Sequence, residues 1–136
     1  MTIADEIGFY NDVFYQAFLD RDMKSMTELW GKDGALLCIH PGGIAITDRA
    51  DILDSWSHIL ESDNCPQILH KADQLVTFGE LVLMTCFEWA ESQPDNVLLV
   101  TNGFIKQSGI YKMVMHQAGP SAISALDVEE PFEQRH

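Results

Sequence analysis

The sequence predicts an α+β fold, with N-terminal helices packed in a strongly curved, mainly antiparallel sheet. Two observations carry that expectation. Apolar residues recur at helical spacing as far as Pro66 and at extended spacing beyond it. The extended stretches are then joined by connections far shorter than the roughly dozen residues that a parallel crossover needs.

The first 22 residues read as a helix, with Ile3, Ile7, Tyr10, Phe14 and Phe18 on one stripe and Phe9, Val13 and Ala17 widening it. Thr2 is its N-cap, and Asp5 and Glu6 lie near the positive end of the helix dipole. Asp22 caps a short second helix that turns Met23, Met26 and Trp30 inward and stops at Gly31 and Gly34. Residues 35 to 40 follow as a strand. His40-Pro41-Gly42-Gly43 fits a type II turn, with proline second and glycine third, where φ is positive. Residues 44 to 47 should therefore return as the second arm of a small hairpin. Asp48 caps a third helix whose stripe is Ile52, Trp56, Ile59 and Leu60, ended by Ser62-Asp63-Asn64 and Pro66. Four strands come next, over residues 67 to 78, 80 to 91, 97 to 107 and 110 to 118. Gly79, Gln93-Pro94-Asp95-Asn96 and Ser108-Gly109 supply the turns between them.

At 136 residues the chain has room for one domain, expected over residues 1 to 120, and residues 121 to 136 are expected to be a partly mobile tail. Ile123, Leu126 and Val128 can add a short packed segment, and the last eight residues are acidic. The net charge of −13 leaves no Lys/Arg cluster to replace the counterions of nucleic acid, nor one to dock on anionic lipid. No apolar stretch reaches the roughly 20 residues that span a bilayer. The acidic opening "MTIADEIGFY" lacks the pattern of a secretory signal, and three cysteines at unrelated spacings suit a reducing compartment. The expectation is a cytoplasmic protein without a disulfide.

"LVLMTCFEWA" and "VLLVTNGF" are apolar on both alternating faces. One face should meet the helices, and the other a second copy of the chain through a two-fold interface. The competing reading has the C-terminal tail wrap that second face.

Cys38 and His40 share one strand face and can offer two ligands, but a zinc site needs three or four, and no HxH, CxxC or HExxH pattern supplies the rest. No metal is expected. The three cysteines also lack nearby positive charge to favour a thiolate. The corner at His40 is read first as a turn.

"LWGKDGALLCIHPGG" leading into "DRADILDSWSHIL" and then "TNGFIKQSGIYKMVMHQAGP" resembles the SnoaL-like branch of the nuclear transport factor two superfamily over residues 5 to 120. Trp30, His40 to Gly42, Arg49 with Trp56, and Thr101-Asn102 with Phe104 carry the resemblance. It implies a cystatin-like cone, a bent sheet around long helices with a pocket at its open end, and homodimers through the outer face. Asp48, Tyr111 and Met115-His116-Gln117 depart from the family pattern.

In such a cone Glu88, Asn102 and His116, each from a different strand, would converge on one cavity, with His40 at its rim. A polar group buried in an apolar strand must be paired or costs several kcal/mol. Glu88 or His116 is then the candidate general base, if burial moves its pKa toward neutrality, and Asn102 a donor to a developing oxyanion. Trp56, Tyr10, Trp30 and Phe104 are the candidate apolar contacts for a ligand. The resemblance implies an isomerase or cyclase working by general acid–base proton transfer on a small apolar molecule, without a cofactor. The alternative is a non-catalytic ligand-binding or dimerisation module. The carboxyls invite comparison with ketosteroid isomerase, but no matching Tyr-plus-Asp pair to polarise a ketone is legible in the sequence.

Overall fold

A computed structural model describes residues 1–129. The chain runs α1 (Ile3–Asp20), α2 (Met23–Leu29), β1 (Leu37–Ile39), α3 (Arg49–Glu61), β2 (Ile68–Phe78), β3 (Leu81–Ala90), β4 (Leu98–Gln107), β5 (Ile110–Pro120) and α4 (Ala125–Glu129). Among these elements no helix is long and apolar enough to cross a membrane.

Local chemistry sets each helix start. The Thr2 hydroxyl accepts from the Asp5 N–H at 3.0 Å while the Asp5 carboxylate accepts from the Thr2 N–H at 3.1 Å, a reciprocal capping box. Asp22 and Asp48 cap α2 and α3 through their side chains. At the corner, Gly43 N–H donates to His40 O at 2.8 Å and Gly42 has φ 73°, as a type II turn requires. The hairpin is shorter than its sequence suggests: its returning arm makes one bridge, Ile46 to Cys38.

The sheet is curled and unclosed, in the order β1-β5-β4-β3-β2. The four long strands form the expected antiparallel meander, while β1 joins β5 in parallel, Cys38 opposite His116. Two bulges bend it, at Asp73 in β2 and at Val114 in β5. The second bulge shifts the alternation by one, so that Tyr111 and Met113 before it and His116 and Ala118 after it are all buried. The inner face packs Val82, Met84, Cys86, Val100 and Phe104 on Ile7, Phe14 and Phe18 of α1. Within α1 the buried stripe includes Asn11 and Tyr15, whereas Ile3 and Phe9, expected to be covered, are largely exposed.

The outer face is covered at one end. Ala125 and Val128 of α4 close over Phe87, Trp89 and Val97, and Lys71 Nζ donates to Val128 O at 3.1 Å. Ile123 packs beside them, but Leu126 is 70% exposed. The acidic end of the tail from residue 130 lies outside the described residues.

Arg49 holds α3 against α2. Its Nε donates to Gly31 O at 2.9 Å and its Nη2 to Thr27 O at 2.8 Å, satisfying carbonyls around the end of α2. That contact orients the inner face of α3, which carries Ser55 and Trp56. Arg49→Met should lower the unfolding free energy by about 2–4 kcal/mol, since charged donors are lost and buried carbonyls orphaned. Urea unfolding checks this, and a loss below about 0.5 kcal/mol would show that the guanidinium does not hold the helix.

Candidate functional site

A cavity of ≈ 290 Å³ opens where the ends of β3 and β4 approach α1, α3 and the corner after β1. Phe18, Trp56, Ile59, Ile68, Trp89 and Leu98 form its apolar wall. Glu88, His116 and His40 are its inner polar groups, and exposed Gln93 and Asn96 stand at the rim. Among the described residues no Lys or Arg lines it.

Glu88 is 4% exposed, on the inner face of β3 opposite His70 of β2. The Tyr15 hydroxyl, from α1, donates to Glu88 Oε2 at 2.8 Å. Burial outweighs that bond and raises the Glu88 carboxyl to about 7. Glu88 therefore exchanges a proton near neutrality. Tyr15 itself is held well above 10, first by burial and then by the Glu88 charge. Behind it His70 stacks on the Tyr15 ring at 3.9 Å and approaches Asp12 at 3.6 Å.

His116, on β5, is 2% exposed and shares its surroundings with Phe14 and Trp56, whose rings lie 5.0 and 5.4 Å away. Its Nδ1 lies 2.7 Å from Asn102 Oδ1. An amide oxygen only accepts, so Nδ1 carries the proton and Nε2 keeps the lone pair. Burial, with a small push from His40, lowers the imidazole to about 3. His116 is thus a neutral acceptor, and burial has moved it away from the pKa range a general base needs at neutral pH.

Asn102 is buried behind the cavity wall. Its Nδ2 donates to Asn11 Oδ1 at 2.9 Å, and Asn11 Nδ2 donates to Cys86 Sγ at 3.4 Å. Both sides of the Asn102 amide are therefore spent on protein partners, and it reaches the cavity through His116. Burial lifts the Cys86 thiol to about 12, so it stays protonated.

His40 Nε2 lies 2.9 Å from Ser55 Oγ, which spends its own proton on Ile52 O at 2.6 Å. Nε2 therefore donates and Nδ1 is left as an acceptor. Cys38 Sγ is 3.6 Å from the same Nε2, but burial raises the Cys38 thiol to about 12. Among the described residues no group of three or more His, Cys, Asp or Glu is placed to hold a metal.

Of the residues singled out in the sequence, the structure brings Glu88, His116, His40 and Trp56 together at one cavity. Trp30 and Phe104 are fully buried in the core instead. Tyr10 lies beside Tyr111, lining a second hollow with Leu29 and Lys112. The sequence reading passed over Asn11, Tyr15 and Ser55. Only Asn11 left a signal, a polar residue at helical spacing inside the stripe Ile7, Phe14, Phe18.

Burial shifts Glu88 and His116 in opposite directions, which separates their effects on stability. Glu88 keeps its proton in the folded state to about 7, while its ordinary value is 4.5. Between those values the unfolded chain binds fewer protons, so the Glu88 contribution is lost as pH rises. His116 is neutral down to about 3 against an ordinary 6.5, so the unfolded chain binds more protons and its contribution is lost as pH falls. Relative to the parent, Glu88→Gln should gain up to about 3 kcal/mol as pH rises through its window, and His116→Asn should gain as pH falls through its own. Urea unfolding across pH reads both slopes. Parallel slopes would contradict the assignment.

Comparison with known proteins places this architecture. The family model of the SnoaL-like domain matches residues 8–123. A candidate calcium/calmodulin-dependent protein kinase type II association domain from Thiobacillus denitrificans is similar at 26% identity and TM-score 0.73, over 82% of this chain and 92% of that one. A candidate dehydratase of the NTF2-like family from Streptomyces avermitilis is similar at 22% identity and TM-score 0.74, over 88% and 96%. The CaMKII hub of S. rosetta aligns at 16% identity and TM-score 0.68, over 89% and 98%. A search of curated proteins finds no match. With the family model spanning most of the sequence and an NTF2-like α+β cone common to these structures, the chain belongs to the SnoaL-like domain family.

Proposed function

We propose that this domain binds a small, mostly apolar molecule at the end of the cone and moves a proton on it through Glu88. The observation that carries the reading is a carboxyl, raised to about 7, in the wall of an aromatic-lined cavity. Near neutral pH Glu88 is available both as acid and as base, which suits an isomerase or cyclase that takes a proton from one atom and returns it to another. Tyr15 orients the carboxyl, and His116 Nε2 accepts a hydrogen bond from the ligand. His116 is a binding residue in this scheme, and Glu88 the sole proton carrier. Asn102 positions His116. A structure named as a candidate dehydratase shares this fold, a likeness that bears on the fold alone.

The test is a panel of bicyclic ketones that also carry a hydroxyl to donate to His116, with deuterium exchange at the carbon next to the carbonyl. One or more should raise the melting temperature by a few degrees and exchange catalytically, with Glu88→Gln slowing exchange about 100-fold or more at unchanged stabilisation. No shift from any member of the panel would remove the reading.

A second reading, self-association, rests on the outer sheet face. Leu99 and Val76 are 44% and 42% exposed there, beyond the reach of α4, and Leu83 and Met115 crowd Gly103 on the same face. Structures named for an association domain and a hub share the fold. A homodimer through this face is the consequence. Light scattering after gel filtration should give twice the chain mass, reduced to one by Leu99→Glu with Val76→Glu. A parent monomer at micromolar concentration would refute the dimer.

A further inference from the structure

Glu88, His116 and His40 present acceptors to the cavity, and the donor beside them is the Trp56 indole N–H, which has no hydrogen-bond partner among the described residues. His116 Nδ1 is committed to Asn102 Oδ1 and His40 Nε2 to Ser55, which leaves a lone pair on the other nitrogen of each ring. Tyr15 spends its hydroxyl proton on Glu88. Among the described residues the carboxyl is the only side chain in the lining that can carry a charge opposite to a cation, and no Lys or Arg lines the cavity to receive an anion. Phe18 and Trp56 supply aromatic surface around this acceptor set. An ammonium group complements it: three donors, no acceptor, a positive charge for the carboxylate, and an affinity for aromatic faces. The size also selects. An apolar cavity of about 150 Å³ takes benzene, so one of ≈ 290 Å³ has room for two fused rings.

We propose that the cavity selects a primary amine carried on an aromatic bicycle, its ammonium seated on the Glu88 carboxylate and the rings against Phe18 and Trp56. The inference rests on the pocket reading given above and names the ligand class for that same cavity. A bound ammonium keeps Glu88 in its basic form. Carboxylates and phosphates of the same size are turned away by the acceptor-rich wall and by the net charge of −13.

The pH dependence follows from the groups that face Glu88. From α1 comes Tyr15, with Asp12 reaching it through His70; from β2 comes His70; Cys86 precedes it on β3; His116 of β5 and His40 after β1 share the cavity. Tyr15 and Cys86 stay protonated, burial lowers His40 and His70, and it takes His116 down to about 3. Between about pH 6 and pH 8 Glu88 gains the negative charge that the ammonium pairs with.

Calorimetric titration with tryptamine, indole-3-ethanol and indole-3-acetate, which share a ring system and differ in the terminal group, tests the proposal. At about pH 8 tryptamine should bind about tenfold more tightly than indole-3-ethanol, with indole-3-acetate weakest. At about pH 6 tryptamine should weaken about tenfold while indole-3-ethanol changes by less than about twofold. Glu88→Gln should abolish the preference for tryptamine. The pH comparison in the parent protein stands whether or not that variant folds. Equal or tighter binding of indole-3-ethanol, or a pH-independent tryptamine affinity, overturns the amine and leaves the pocket. Failure of all three probes to bind overturns the pocket together with it.

Discussion

The bond from the Tyr15 hydroxyl to Glu88 is the contact on which the interior depends. A carboxyl this buried, with no cation among the residues beside it, is tolerable only if hydrogen-bonded, and Tyr15 supplies the donor from across the core. One helical turn earlier, Asn11 joins Cys86 and Asn102, and Asn102 holds His116. Apolar packing alone would let α1 slide or rotate by small steps at modest cost. This polar chain does not, because a displacement orphans several buried groups at once, each worth about 1–3 kcal/mol. The hydrophobic core gathers helix and sheet, and the Asn11 and Tyr15 pair sets their register.

The same burial gives the candidate site its chemistry. Desolvation penalises whichever form is charged, so it raises Glu88 and lowers His116. Near neutrality the two present complementary faces, a carboxyl exchanging its proton and an imidazole fixed as an acceptor. The tautomer of each histidine follows from its partner on the far side of the ring, an amide oxygen for His116 and a committed hydroxyl for His40. These partners lie outside the cavity, so its polarity is determined one layer behind the wall.

Much of the scaffold was legible because its causes are local. Thr2, Asp22 and Asp48 announce three helix starts, and Pro41-Gly42 announces the turn at His40. The long strands begin and end within about two residues of where turn chemistry places them. What escaped is non-local. Nothing near residue 15 reveals a partner 73 positions away. The parallel pairing of β1 with β5 joins distant segments, and the bulge at Val114 reverses which side chains of β5 point inward. Simple alternation carried back from His116 would turn Tyr111 and Met113 outward, yet both are buried. The apolar outer face pointed to a second copy of the chain as its cover, whereas α4 provides part of that cover from within the chain. Among the aromatic candidates, sequence could not divide Trp56 at the cavity from Trp30 in the core, since both occupy inward positions on their elements.

The central claim is that one buried carboxyl in the cavity wall titrates near neutrality. Carbon-13 NMR of the glutamate side-chain carboxyls, followed across pH with Glu88 assigned by its absence in Glu88→Gln, reads that property directly. The account predicts a Glu88 midpoint near about 7, well above the ordinary glutamate value of about 4.3. A Glu88 midpoint at that ordinary value would contradict it.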